Sequence, residues 1–426
     1  MTERKMKDSG IEWIGDIPEE WKILRIKDAF KFTTGFTPDT QIATNYTDDY
    51  NSGFEWVTIA DINNGQINSL TKSFISKDFI NHKKFKPCPI GCLLYSFKLS
   101  VGQTAITNRN VFTNEAIACF YPNNKASINY LKYSSILIEY NSNTNIYGAK
   151  ILNQQLINNA LVTFPPLSEQ QRIADFLDEK SSEIDVLTAD IEEQIKILEE
   201  YKKSVITEAV TKGLNPNVEM KDSGIEWIGD IPKEWEVHPI DKYFDERKNT
   251  NYSLKEQNLL SLSYGKIIRK DINTNGGLLP ASFNTYNIVE RNDIIIRPTD
   301  LQNDKKSLRT GLVKEKGIIT SAYIDLKPKS FIYPNYFHYL LHFYDITKVF
   351  YNMGNGVRQG LNYTEFSKLM VICPSLPEQQ QIVEYLDHKC SEIDSIILSK
   401  KQQLETLVEY KKSLIYEYVT GKKEVA

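Results

Sequence analysis

The chain has 426 residues, 41% hydrophobic and 25% charged, with a formal net charge of −4. That length suits two to four globular domains, each with enough chain to bury a core. No apolar run reaches the roughly 18 residues that a membrane span needs. The opening MTERKMKDSGIEW has no apolar signal-peptide core, so a cytoplasmic protein is expected. Cys88, Cys92, Cys119, Cys373 and Cys390 form no CxxC pair, which argues against a disulfide framework or a zinc knuckle.

In chain order, the first feature is MKDSGIEWIGDIPEEW at residues 6–21, with a turn at Gly15–Pro18 between Trp13 and Trp21. It recurs at 220–235 with Trp227 and Trp235, changed only from Glu19 to Lys233. These tryptophans could form a base-stacking platform. Packing of the block against its own domain and helix is the favoured reading, because a sequence reader should differ between copies. Residues 22–150 follow, with FEWVTIADI, CLLYSF and EAIACFY reading as strands and SINYLKYSSILIEY as a helix.

The stretch from Ser168 to about Thr211 then reads as one long helix of roughly 65 Å. Ser168 and Gln171 form a plausible capping box, and Gly213 followed by Pro216 supplies a stop. Leu177, Ile184, Leu187, Ile191, Leu198, Tyr201 and Val205 fall on one heptad seam, interrupted by Lys180 and Gln194.

After the second opening block, residues 236–360 offer NDIIIRP and GIITSAYIDLKP as strands and PNYFHYLLHFYDITKVFY as a helix. A second long helix runs from about Pro377 to Thr420. Its seam holds Leu386, Ile393, Ile396, Leu407, Tyr410 and Leu414, interrupted by Lys389, Lys400 and Gln403. The helices align as PPLSEQQRIADFLDEKSSEID from Pro165 with PSLPEQQQIVEYLDHKCSEID from Pro374, and EEYKKSVITEAVTKG from Glu199 with VEYKKSLIYEYVTGK from Val408. Each carries an apolar stripe that needs cover. The expected solution is an antiparallel coiled coil with a pseudo-two-fold internal repeat; the alternative is two helices each lying on its own domain. The fold class is mixed α/β, of the α+β kind.

The repeat is selective. Its framing blocks are nearly identical while the segments between them diverge. Charge follows the same division. Residues 22–150 hold 14 Lys and Arg against 9 Asp and Glu, and residues 236–360 hold 18 against 13, whereas 168–213 hold 6 against 12. Basic inserts on an acidic frame are the distribution expected if the inserts touch nucleic-acid phosphates. Candidate DNA contacts in the first insert are Lys83, Lys84, Lys86, Lys98, Gln103, Asn108, Arg109 and Asn114. In the second they are Lys266, Arg269, Lys270, Arg297, Gln302, Asn303, Lys305, Lys306, Arg309 and Arg358. Arg can pair with guanine and Asn or Gln with adenine, while Lys more often holds phosphate.

Catalytic signatures are missing. There is no GxxxxGK[ST] loop for an ATP motor and no Asn-Pro-Pro-aromatic methylation motif. Gly354, Gly356 and Gly360 have the wrong spacing for a dinucleotide fingerprint. His338 and His342 could share a metal at i,i+4 but lack an acidic third ligand nearby. Pro298–Asp300 with Asp304–Lys306 is too tightly spaced for nuclease carboxylates.

PLSEQQRIADFLDEKSSEID, its copy PEQQQIVEYLDHKCSEID, the two DSGIEWIGDIP blocks and the KFTTGFTP run together resemble the specificity subunits of type I restriction-modification systems. The resemblance covers essentially the whole chain and implies two target recognition domains, at 1–165 and 214–373. The long helices would occupy 166–213 and 374–422, with a tail at 423–426. It further implies that each recognition domain reads one half of a bipartite double-stranded DNA site. The helices would set the spacing and dock two methyltransferase subunits, and motor-nuclease restriction subunits would then join. The chain itself would be non-catalytic and cofactor-free, with S-adenosylmethionine, ATP and Mg on its partners. A stand-alone coiled-coil DNA-binding scaffold and an autonomous nuclease are the competing readings. The second insert departs from the pattern, reading DERKNTNYS where the first has TTGFTP.

Overall fold

The computed structural model describes residues 4–49, 51–63, 65–69, 71–98, 100–144, 150–272, 282–299, 301, 308–353 and 360–425. The chain forms two compact units, one of Met1–Ile191 with Gln402–Ala426 and the other of Glu192–Lys401.

In the first unit the opening block folds back on itself, Met6–Asp8 pairing antiparallel with Asp16–Pro18. Lys22–Arg25 then pairs with Leu161–Phe164 and clamps the two ends of the insert together. Between them lies an antiparallel sheet in the spatial order Thr104–Ile106, Leu93–Ser96, Ile117–Phe120, Phe32–Thr34. A second sheet places Phe112–Thr113 parallel to Gly53–Val57, followed by Phe74–Ser76 and Tyr46–Thr47. The apolar runs CLLYSF and EAIACFY form the two central strands of the first sheet, Leu93–Ser96 and Ile117–Phe120, and both strands are buried throughout. FEWVTIADI stays extended only to Val57, because Thr58 and Asp61 form a capping box that starts a short 3-10 turn. SINYLKYSSILIEY is α-helical over Ile128–Ser134 and tightens to 3-10 over Ser135–Asn141.

The second unit repeats this plan. Met220–Asp222 pairs with Asp230–Pro232, and Glu236–Pro239 with Met370–Cys373. The main sheet has the same order, Thr310–Leu312, Ile294–Ile296, Ile324–Pro328, Phe244–Glu246. GIITSAYIDLKP is two strands, Gly317–Ile319 and Ile324–Pro328, separated by a turn. Pro334–Ile346 forms the helix beneath, with Pro334 in its first turn.

The long helices are Leu167–Lys212 and Leu376–Val419. Each unit receives a piece of both. In the first, Leu177 and Ile184 share a core with Leu414 and Val419. In the second, Val205, Ile206 and Val210 share one with Ile382, Leu386 and Cys390. The pairing is antiparallel: within the second unit Lys400 bonds Gln194 while Lys202 bonds Asp394, so numbers rise on one helix as they fall on the other.

The seam differs from the expected one at every second position. Leu177, Ile184, Ile191, Val205, Leu386, Ile393 and Leu414 are buried, and Leu198 and Leu407 are half-buried. Leu187, Tyr201, Ile396 and Tyr410, however, are all exposed. The inner row alternates steps of four and three, so the second seam residue lies four after the first rather than three. Those places belong to Ser181, Thr188, Ile195 and Lys202 on one helix and Cys390, Ile397, Leu404 and Lys411 on the other, all buried or half-buried. Apolar content drew the expectation to the wrong neighbours. The half-buried lysines are neutralised across the seam, Lys202 by Asp394 at 2.6 Å and Lys411 by Asp185 at 2.6 Å.

The helix starts also differ. The first helix already begins at Leu167, and Gln171 bonds Asp175 at 2.7 Å instead of reaching back to Ser168. The neighbouring glutamine organises the start. Gln170 donates to the Pro165 carbonyl and accepts from the Ser127 amide, both at 2.8 Å. Gln379 does the same with Pro374 at 2.9 Å and Tyr333 at 2.8 Å. Gly213 ends the first helix in the left-handed region at φ 74°, and Gly421 takes φ 71° after the second.

Candidate nucleic-acid interface

The repeated tryptophans belong to the frame. Trp21 and Trp235 are fully buried, and their indole N–H groups donate to Glu169 at 2.9 Å and Glu378 at 3.0 Å. Both glutamates sit in the first turn of a long helix, where the helix dipole favours a carboxylate. Tyr130 reaches the Val419 carbonyl at 3.2 Å and Tyr336 the Val210 carbonyl at 3.1 Å, so each domain is bonded to the helix end beside it by the same chemistry. The outer tryptophans differ: Trp13 stacks on Tyr140 at 4.5 Å, whereas Trp227 is 42% exposed.

The inserts carry the variable polar surface. In the first, Lys83 ends the short helix Lys77–Lys83, Lys84 turns the chain at φ 55°, and Lys86 follows; all three are exposed. Lys98, Gln103 and Asn108 are exposed around the strand ends 93–96 and 104–106. Arg109 is turned inward. Its guanidinium is held by Glu55 and by the Asn68 carbonyl at 2.7 Å. Asn114 is half-buried and accepts from the Ala116 amide at 3.1 Å. The TTGFTP run packs against this segment: a Cβ on Gly35 would lie 1.9 Å from the Thr113 carbonyl oxygen, and Phe36 stacks on Phe85 at 3.9 Å.

In the second insert Lys266 and Lys270 are exposed, and Arg269 is ion-paired with Glu315. Arg297 is half-buried beside Arg309. Arg309 is buried outright and donates to the Thr299 carbonyl at 2.6 Å. Gln302, Asn303, Lys305, Lys306 and Arg358 lie outside the described residues, as do Gly354, Gly356, Asp300 and Asp304. Where the first insert has TTGFTP, Arg247 of DERKNTNYS makes a two-pronged bond to Asp293 at 2.7 and 2.9 Å. Asp325 lies behind it, both carboxyl oxygens buried, and burial followed by the Asp293 charge pushes it up to about 8.

Each insert also leaves a cleft beside the helices of its own unit. The first, about 750 Å³, is lined by Asn63, Gln66, Asn68, Lys132, Asp178 and Asp185. Its counterpart, about 700 Å³, is lined by Tyr264, Lys266, His338, His342, Asp387 and Asp394. A β-hairpin borders each: Ile62–Asn63 with Gln66–Ile67, and Leu260–Ser263 with Lys266–Arg269. Burial, then mutual repulsion and Lys314, lowers His338 to about 3; burial, then Lys202 and Lys203, lowers His342 to about 4. Both are therefore neutral near pH 7. Among the described residues no group of three His, Cys, Asp or Glu is placed to hold a metal. No described helix is long and apolar enough to cross a membrane.

Sequence reasoning missed Tyr252 and Tyr264, the most exposed large hydrophobic side chains among the described residues at 81% and 83%. The Tyr264–Gly265 step between the alternating LSLS and the KIIR run was the available signal for the second hairpin.

The family described as type I restriction modification DNA specificity domain matches residues 18–197 and 232–406. The chain is 23% identical over 425 residues to the type I restriction enzyme MjaVIII specificity subunit of Methanocaldococcus jannaschii, covering 95% of this chain and 93% of that one. It is 25% identical over 436 residues to the putative MjaX specificity subunit of the same organism, covering 96% and 95%. In fold it is similar to a chain solved in a study of complex assembly and conformational transition of the type I R-M system. That match has a TM-score of 0.67 and 15% identity, and covers 96% of this chain and 99% of the other.

Proposed function

The chain belongs to the family of type I restriction-modification DNA specificity subunits, and we propose that its two inserts each read one half of a bipartite double-stranded DNA target. The observation that carries this is the selective repeat. The Trp–Glu, Gln–carbonyl and Lys–Asp bonds of the frame occur twice with the same partners, while the inserts differ and are both basic. A frame kept in duplicate with two unlike readers suits a target with two unlike halves.

The long helices fix the gap between half-sites and dock two methyltransferase subunits. Those subunits bring S-adenosylmethionine and modify adenine, and the motor-nuclease subunits that join bring ATP and Mg. The chain itself is non-catalytic, holds no cofactor and works in the cytoplasm. Co-expression with a cognate methyltransferase subunit, followed by methylome sequencing, tests this. N6-methyladenine should lie in a split motif with a fixed gap, and replacing residues 22–150 should change one half only. Methylation at a single contiguous motif overturns the two-reader role, and DNA cleavage by the purified chain with Mg²⁺ overturns the non-catalytic one.

A further inference from the structure

We propose that the hairpin Leu260–Arg269 is the base-reading ribbon of the second insert, with Tyr264 at its tip and Ser261, Ser263, Lys266 and Ile268 on its reading face. This rests on the two-reader role above. Side chains alternate across a strand. The register Leu260↔Arg269, Ser261↔Ile268, Leu262↔Ile267, Ser263↔Lys266 therefore sorts the hairpin into two faces.

The inner face is anchored. Leu262 and Ile267 lie so close over Gly311 that a Cβ there would sit 2.6 and 2.9 Å from them, and Arg269 is ion-paired with Glu315. The outer face carries two hydroxyls, the exposed ammonium of Lys266 and an Ile268 that is 41% exposed. Lys270 continues the same face and is also exposed.

The tip has the backbone of a tight hairpin turn, with Tyr264 at φ 46° and Gly265 at φ 77°. An aromatic residue is disfavoured in that conformation. Here it is held there with its ring 83% exposed. Burial within the fold gives no account of such a side chain, whereas insertion between or against bases does.

A two-stranded ribbon fits the DNA major groove, where hydroxyls can bond either acceptors or donors, lysine meets guanine O6 and N7, and an apolar group meets the thymine methyl. The first insert offers a different surface. Its shorter hairpin presents Asn63 and Gln66, with Asn63 bonded to Asn68 at 2.8 Å.

The test uses the full chain co-expressed with its methyltransferase subunit and read by methylome sequencing. Tyr264→Asn keeps a residue suited to the turn and removes the ring, and Lys266→Gln removes the charge. Each should relax or change preference within one half of the motif, by roughly 5- to 100-fold in discrimination, leaving the other half unaltered. Lys242→Gln, in the same insert but away from the hairpin and ion-paired with Glu236 at 2.9 Å, should leave the motif unchanged.

An unaltered motif in both outer-face variants overturns the ribbon. So does a uniform loss of methylation that spares both halves' preferences, or a motif change confined to Lys242→Gln. A contiguous motif in the unmodified protein would instead defeat the two-reader role itself.

Discussion

The two inserts share a sheet order and a bonding frame, yet they stabilise their interiors differently. The first packs Phe36, Phe79, Phe85 and Phe112 into an aromatic cluster beside its second sheet. The second buries Asp293, Arg309, Asp325 and Asp345. The frame bonds repeat because each joins side chains of the repeated blocks to one another or to a backbone carbonyl of the same frame. The inserts diverge because a sheet of given order accepts many interiors, provided that each buried charge finds a partner.

Breaking the frame should give the largest effect, and an equal one in both units. Trp21→Ala and Trp235→Ala each remove a buried indole and its bond to Glu169, which keeps Arg4 at 2.8 Å, or to Glu378. Each should cost about 3–5 kcal/mol in chemical denaturation. A cost confined to one unit would break the equivalence of the two frames.

Acid and base should separate the inserts next. Asp325 titrates in the folded state well above its unfolded value, so its contribution is present in acid and is lost as pH rises from about 4 through about 8. Asp325→Asn should therefore stabilise the second unit at pH 9 by roughly 1–3 kcal/mol and do little at pH 5. His338 and His342 act in the opposite direction. Their folded values of about 3 and about 4 lie below the unfolded one, so stability is lost as pH falls below about 6.5. Hydrogen exchange of the two units between pH 7 and 4 should show the second loosening first. The same order in a His338→Phe, His342→Phe variant would assign the acid sensitivity elsewhere.

Equivalent glycines sharpen the comparison further. Ala at Gly213 meets Trp235 at 3.2 Å, but Ala at Gly421 meets Pro18 at 2.3 Å. Both carry the cost of a left-handed backbone, about 1 kcal/mol, and Gly421→Ala should exceed Gly213→Ala in thermal denaturation. The smallest effect is expected at the seam. A double-mutant cycle on Lys202 and Asp394 should return about 0.2–1 kcal/mol, because both groups still reach solvent, and the Lys411–Asp185 cycle should match it.

Much of this organisation was legible in the residues. The repeat located the frame, and runs such as CLLYSF and NDIIIRP located central strands, because continuous apolar runs must be buried on both faces. Seam residues were harder. Leu187 and Tyr410 look like core, but the inner row takes Thr188, whose hydroxyl donates to the Ile184 carbonyl of its own helix, and Lys411, whose charge is answered by Asp185 on the other helix. The interface was least legible. Arg109 and Arg309 have the composition of DNA contacts, yet Glu55 and the Thr299 carbonyl turn them inward. Such pairings link residues far apart in sequence, and no local pattern announces them.

The division of the chain also bears on the order of synthesis. The second unit is one uninterrupted stretch, whereas the first is completed only by residues 402–426. Emerging from a ribosome, the second unit can close while the first still lacks the strip that contributes Leu414 and Val419 to its core. The first-made insert is thus the last to be finished, and until then its exposed apolar edge is where a chaperone or a protease would act.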